Sequence, residues 1–160
     1  MTDVRPEIRV VTDGPDFDDF VELFSEYQFL PHNEGRSTDP EGEIARLPGP
    51  YVEPTGACVL SRLDGRPVGC VVLAALEPPR ICELKRLYVR SDARGHGLGR
   101  GLVLAVMEEA RRLGYTTMRL DTAPELAAAQ SLYLAMGFVQ IEPYHQRYGD
   151  ALYFEIELTD

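Results

Sequence analysis

The sequence predicts an α/β fold, and three observations carry that expectation. Strand-patterned and helix-patterned runs alternate along the 160 residues with no linker between them. Three strand-like runs follow one another between residues 57 and 90, the first two joined by the hairpin dipeptide Asp64-Gly65. The third runs directly into Arg94-Gly95-His96-Gly97-Leu98-Gly99-Arg100-Gly101, and a helix pattern follows. One domain over residues 1–160 is expected, since this length suits a single core.

In chain order, residues 8–12 are β-rich and read as a strand. Asp13-Gly14-Pro15 breaks it and opens a helix, in which Phe17, Phe20, Val21 and Phe24 recur at helical spacing. Asp16, Asp18 and Asp19 suit the positive end of that helix. It should end near Phe29, before Pro31. Residues 40–47 form a short second helix capped by Thr38 or Asp39. Strands are expected at residues 57–63, 67–76 and 81–90. The next helix buries Leu98, Leu102, Ala105, Val106 and Leu113, pairs Glu108 with Arg112, and stops at Gly114. A strand at 116–121, a helix at 124–136 stopped by Gly137, and strands at 138–141 and 151–158 complete the order βααβββαβαββ.

Composition narrows the function. A net charge of −10 argues against a nucleic-acid surface. No apolar run is long enough to cross a membrane, and the polar start lacks a secretory pattern, so a cytoplasmic location is expected. Cys58, Cys70 and Cys82 each lie in an apolar run without a C-x-x-C pair and read as buried structural thiols. His32, His96 and His145 form no metal-ligand pattern and read as surface or loop residues, so no metal is expected.

The glycine stretch has the context of a phosphate-binding turn: strand, glycines, helix N-terminus. It is no dinucleotide fingerprint, because from Gly95 the third glycine position holds Arg100 and from Gly97 it holds Leu102. No Gly-Lys pair exists for a Walker loop. Arg94, Gly97 and Gly99 fit R/Q-x-x-G-x-G/A instead, which resembles the acetyl-CoA pyrophosphate loop of the GNAT acetyltransferases. Leu132-Tyr133-Leu134-Ala135-Met136-Gly137-Phe138 is similar to that family's L-Y-x-x-x-G-F helix and turn. Order and spacing of both motifs agree with the family. One departure is visible: Ala123-Pro124 stands where many members carry asparagine.

The resemblance implies a mostly antiparallel mixed sheet flanked by helices, its strands splayed at an acetyl-CoA cleft. It implies an N-acetyltransferase that moves the acetyl group of acetyl-CoA directly to a primary amine of a small molecule or amino acid. Cofactor contacts would come from Leu87, Tyr88 and Val89, with a Leu87 or Val89 backbone N–H polarising the thioester carbonyl, and from Arg94, Gly95, His96, Gly97, Leu98, Gly99 and Arg100. Tyr133 would protonate the departing sulfur. A free phenol and an alkyl ammonium both titrate near ~10, so the acceptor needs a base to free its nitrogen. Glu83 stands at the offset from Arg94 where the histone-modifying branch places its catalytic glutamate; its alternative is an ion pair with Lys85 or Arg86 on an exposed strand. Tyr27, Lys85, Tyr144 and Arg147 are the expected acceptor contacts, with Glu26, Glu34, Glu142 and Tyr148 nearby in the same loops. A noncatalytic acyl-CoA sensor of the same fold, O-acetylation and a longer acyl donor stay open, as does the oligomeric state, homodimer included.

Overall fold

In a computed structural model that describes residues 5–34, 36–77, 79–146 and 149–159, the chain lays down its elements in the expected order. They are β1 (Pro6–Val11), α1 (Gly14–Gln28), α2 (Pro40–Ala45), β2 (Ala57–Leu63), β3 (Arg66–Ala75) and β4 (Ile81–Val89), then α3 (Leu98–Arg112), β5 (Thr117–Thr122), α4 (Ala127–Ala135), β6 (Val139–Ile141) and β7 (Leu152–Glu157). The seven strands form one sheet in the order β1-β2-β3-β4-β5-β7-β6. Among the described residues only β4 and β5 run parallel; the other pairs are antiparallel. Among the described residues no helix is long and apolar enough to cross a membrane.

Each face of the sheet buries its own core. Phe20, Leu23 and Phe24 of α1 pack with Cys58, Leu60, Cys70 and Val72 on one face. Leu102, Val103, Val106 and Met107 of α3 pack with Val59, Val71, Leu84 and Leu120 on the other, where Tyr133 and Phe138 join them. Each fully buried Leu, Val or Phe contributes roughly 1.5–3 kcal/mol, which explains why the two helical stripes read so plainly. Arg62 of β2 pins the start of α1 to the sheet by binding Asp16 and Asp19, each at 2.6 Å. Asp39 caps α2, its carboxylate accepting from the Gly42 N–H at 3.1 Å. All three cysteines are buried and free, and burial pushes the Cys58 and Cys82 thiols up to about 12.

Local details differ from the sequence expectation. Helix α4 begins at Ala127 rather than at Pro124, because Ala123–Leu126 closes a turn of its own, with the Leu126 N–H on the Ala123 carbonyl at 3.1 Å. The Gln130 side chain bonds the carbonyls of Ala123 and Pro124, holding that turn apart from the helix. Arg112 pairs with Glu109 and Glu53 instead of Glu108. Glu53 comes from the loop before β2, so Arg112 finds two carboxylates on that side of its helix.

Two backbone features shape the cleft. The register of β4 and β5 covers only Ile81↔Thr117, Cys82↔Met118 and Glu83↔Arg119, so the strands part at the middle of β4. On the other edge of β4, Cys70 pairs with Tyr88 and Val72 with Lys85, which leaves Arg86 and Leu87 opposite Val71 alone. That bulge places Arg86 at φ 60°, a conformation that costs a non-glycine residue free energy and clusters at functional sites.

Candidate functional site

Where β4 and β5 separate, a cavity opens whose walls include Glu83, Lys85, Arg86 and Leu87 of β4 and Asp121 and Thr122 of β5. Tyr133 of α4 closes it on one side, while Tyr27 and Gln28 of α1 and Asn33, Arg36 and Ser37 of the following loop close it on the other. In a regular strand Lys85 and Arg86 would point to opposite faces. The bulge interrupts that alternation, and Lys85 Nζ comes within 3.9 Å of Glu83 while the Arg86 guanidinium reaches Glu43 at 2.9 Å.

Glu83 is 2% exposed, which corrects the reading of an exposed strand. Its carboxylate accepts from the Tyr144 hydroxyl at 2.6 Å, and Lys85 Nζ lies 3.9 Å away. Burial, followed by the charge of Glu83 and the bond to it, pushes the Tyr144 phenol well above its usual range. Tyr144 therefore stays protonated and donates. The Arg119 guanidinium lies 5.5 Å from the Tyr144 ring centre and donates to Glu155 at 2.8 Å.

His145 lies in a loop, as expected, but turns inward. Its side chain is 12% exposed, with Nε2 2.9 Å from Asp121 Oδ2. The Tyr153 hydroxyl donates to the His145 carbonyl at 3.1 Å and lies 3.3 Å from Nδ1. One ligand-capable atom from each of Glu83, Asp121 and His145 lies within 4.8 Å of the others. The donors would suit a cation as well as protons. Alternation on β5 was the missed signal: Met118 and Leu120 go to the core, so Arg119 and Asp121 must face the other way. Nothing local marks His145, because it arrives from a loop.

Tyr133 is 4% exposed and packs its ring 5.5 Å from Phe138 and 6.3 Å from Phe154. Burial raises its phenol pKa. The phenol therefore rests protonated, as a proton donor to a departing thiolate must.

The glycine loop stands apart from this cavity. Arg90 follows β4, a short turn at Ser91–Ala93 comes next, and Gly95 and Gly97 take φ 87° and 73°. Gly97 is the N-cap of α3, so no side chain caps that helix. A Cβ at Gly95 or Gly97 would meet no atom within 4 Å, so the main chain faces open space there. That space and the N–H groups at the start of α3 fit an anionic diphosphate. Arg94, His96 and Arg100 are exposed around it, whereas Leu98 is buried in the core.

The basic residues separate by role. Arg90 is tied to Glu26, Nη2 to Oε2 at 2.8 Å, and Tyr88 donates to the same carboxylate. The Tyr88 side chain thus belongs to the α1 face, leaving only its main chain for a cofactor, and Glu26 is spent within the fold. Glu34 and Glu142 are exposed. Tyr27 and Lys85, two of the residues expected to contact the acceptor, line the cavity, and Tyr144 is joined to it through Glu83. Arg147 and Tyr148 lie outside the described residues.

Comparison with known proteins agrees with this geometry. The model of the acetyltransferase (GNAT) family matches residues 17–138. An uncharacterised N-acetyltransferase of Schizosaccharomyces pombe is 35% identical over 90% of each chain. N-acetylaspartate synthetase of Danio rerio is 33% identical over 62% of this chain but only 36% of its own length. A putative acetyltransferase of Salmonella typhimurium, solved with its cofactor acetyl-CoA, shares the fold at TM-score 0.73 and 21% identity, covering 97% of this chain and 95% of its own. With the sheet parted at β4 and β5, the glycine loop at the start of α3 and the tyrosine helix beside them, the chain belongs to the GNAT family of acetyltransferases and is an acyltransferase.

Proposed function

We propose that the protein transfers the acetyl group of acetyl-CoA to the primary amine of a small molecule. One observation carries this reading: Glu83 and Tyr133, a buried carboxylate and a buried phenol, line a single cavity where β4 and β5 part. Main-chain N–H groups of Gly95 to Arg100 would hold the diphosphate, with Arg94 and Arg100 offsetting its charge. Acetyl-CoA, when bound, supplies an activated acyl thioester.

The chain's own residues supply the proton chemistry. Glu83 takes one proton from the acceptor ammonium, which frees the nitrogen lone pair to bond the acyl carbon. Tyr133 gives a proton to the sulfur as the carbon–sulfur bond breaks. The nitrogen's second proton, released as the amide forms, restores Tyr133, and the proton on Glu83 leaves to solvent. The net products are the N-acetylated acceptor, free CoA thiol and one proton. A Leu87 or Val89 N–H, on the part of β4 past its last β5 partner, would polarise the thioester carbonyl.

The test is steady release of CoA thiol from acetyl-CoA across an amine panel, with melting temperature read alongside. A rise in melting temperature with acetyl-CoA, plus amine-dependent thiol release, is expected. Binding without turnover by any amine or alcohol would make the protein a sensor. Turnover with alcohols alone would make it an O-acetyltransferase.

A further inference from the structure

We propose that Asp121, held in place by His145, is the exit for the proton that Glu83 takes from the acceptor. This rests on the transferase reading above and adds the step that readies Glu83 for the next turnover. That step needs a route, because the Glu83 side chain is only 3% exposed and an acceptor in the cavity covers it further.

The groups around the Glu83 carboxylate can be taken in turn. The Tyr144 hydroxyl donates to Oε2 at 2.6 Å, and burial together with the Glu83 charge keeps that phenol from ionising. It therefore holds Oε2 without carrying a proton onward. The Lys85 ammonium lies 3.9 Å from Oε1 and has no lone pair to receive a proton. Arg119, on the same face of β5 as Asp121, donates to Glu155 at 2.8 Å, and a guanidinium accepts nothing. Asp121 can accept. Its carboxylate lies within 4.8 Å of Glu83 and lines the same cavity. One water spans such a gap, since two hydrogen bonds of about 2.8 Å each cover it. Free Glu and Asp carboxyls both titrate at about 4, so a proton passes between them on nearly level ground. The Asp121 side chain is 17% exposed, so the proton moves outward.

His145 stands behind Asp121 and does not line the cavity. Its Nε2 lies 2.9 Å from Asp121 Oδ2, and its Nδ1 lies 3.3 Å from the Tyr153 hydroxyl. It is a positioning residue: it fixes the carboxylate that receives the proton. Tyr144 and His145 are consecutive, so one loop backs both carboxylates across the parting of β4 and β5. In the step itself, the O–H bond on Glu83 breaks as the bridging water takes its proton, and that water gives one of its own to Asp121. Asp121 then releases a proton to solvent water and returns to the carboxylate. The net change is one proton from Glu83 to solvent.

The experiment compares the first turnover with later ones, following CoA thiol release with the fastest amine of the panel above. Asp121→Asn keeps the size and still offers an oxygen to His145. It should release the first equivalent of thiol at the wild-type rate. Later turnovers should be slower by about tenfold or more, short of the 10²–10⁴-fold typical of a group acting in the transfer itself. His145→Gln should show the same pattern with a smaller drop. The double variant should be no slower than Asp121→Asn, because His145 acts through Asp121. A first turnover slowed as much as the later ones would place Asp121 in the transfer or in the fold and overturn the exit role. Later turnovers at the wild-type rate would overturn it as well. A double variant slower than Asp121→Asn would overturn the positioning role of His145. If Asp121→Asn does not fold, His145→Gln decides by the same comparison. An acetyl-CoA melting shift with no thiol release from any amine by the wild type would instead sink the transferase reading and this inference with it.

Discussion

The two ends of the cleft are built from different materials. The glycine loop is one contiguous stretch, and the groups proposed to work in it are main-chain N–H groups, with Gly95 and Gly97 at positive φ. The proposed acceptor end is made of side chains from β4, β5, α1, α2, α4 and two loops, joined by Glu83–Tyr144, Asp121–His145 and Arg86–Glu43. A main-chain site depends on conformation and tolerates changes in neighbouring side chains. A side-chain site depends on several elements arriving together, and each of its groups can be removed singly. Changes at one end should therefore leave the other end's readout alone.

The largest effect tests the loop. Gly97→Val should abolish the acetyl-CoA melting shift, since a β-branched residue is strained at φ 73° and its Cβ would occupy the open space. An undiminished shift in the variant would move the cofactor elsewhere.

Next comes Tyr133→Phe, which should preserve the melting shift and lower kcat on the order of 10²–10⁴-fold. Unchanged kcat under conditions where chemistry limits the rate would reduce Tyr133 to packing against Phe138 and Phe154.

Tyr144→Phe sharpens the division between the ends. It removes the donor to Glu83 and should lower kcat/KM for the acceptor about tenfold, the scale of a hydrogen bond to a charged group. The KM of acetyl-CoA should hold steady; equal losses for both substrates would erase the distinction drawn here.

The smallest effect concerns stability. Arg90's hydrogen bonds, aided by Tyr88 and opposed by burial, hold the Glu26 carboxyl below its ordinary 4.5. A carboxyl lowered by folding stabilises the fold above its unfolded value, and that contribution disappears as pH falls through the folded value. Glu26→Gln should thus melt a little below wild type at pH 7, with the gap closing below pH ~4.5. A gap that stays constant down to pH 3 would show that Glu26 acts by packing.

Much of the fold was legible because its signals are local. The stripes of α1 and α3, the Asp64-Gly65 hairpin and the glycines before α3 each report backbone preference or burial within a few residues. Glu83 was legible only as a position relative to Arg94, and its burial was not, since Lys85 and Arg86 beside it read as an exposed strand. Periodicity cannot foresee the bulge that turns Arg86 to φ 60° and interrupts the alternation of β4.

The sequence by itself determined the order of elements, the two helical core faces and the glycine turn, because these follow from spacing and backbone freedom over short range. The tertiary structure alone decided that β4 and β5 part after Glu83 and Arg119, and that Asp121 and His145 meet there. Those groups lie 24 positions apart and come from a strand and a loop. Their meeting depends on where β7 inserts beside β5 and carries the loop before it over the sheet. Long-range strand pairing sets that placement, and no short window of residues contains it.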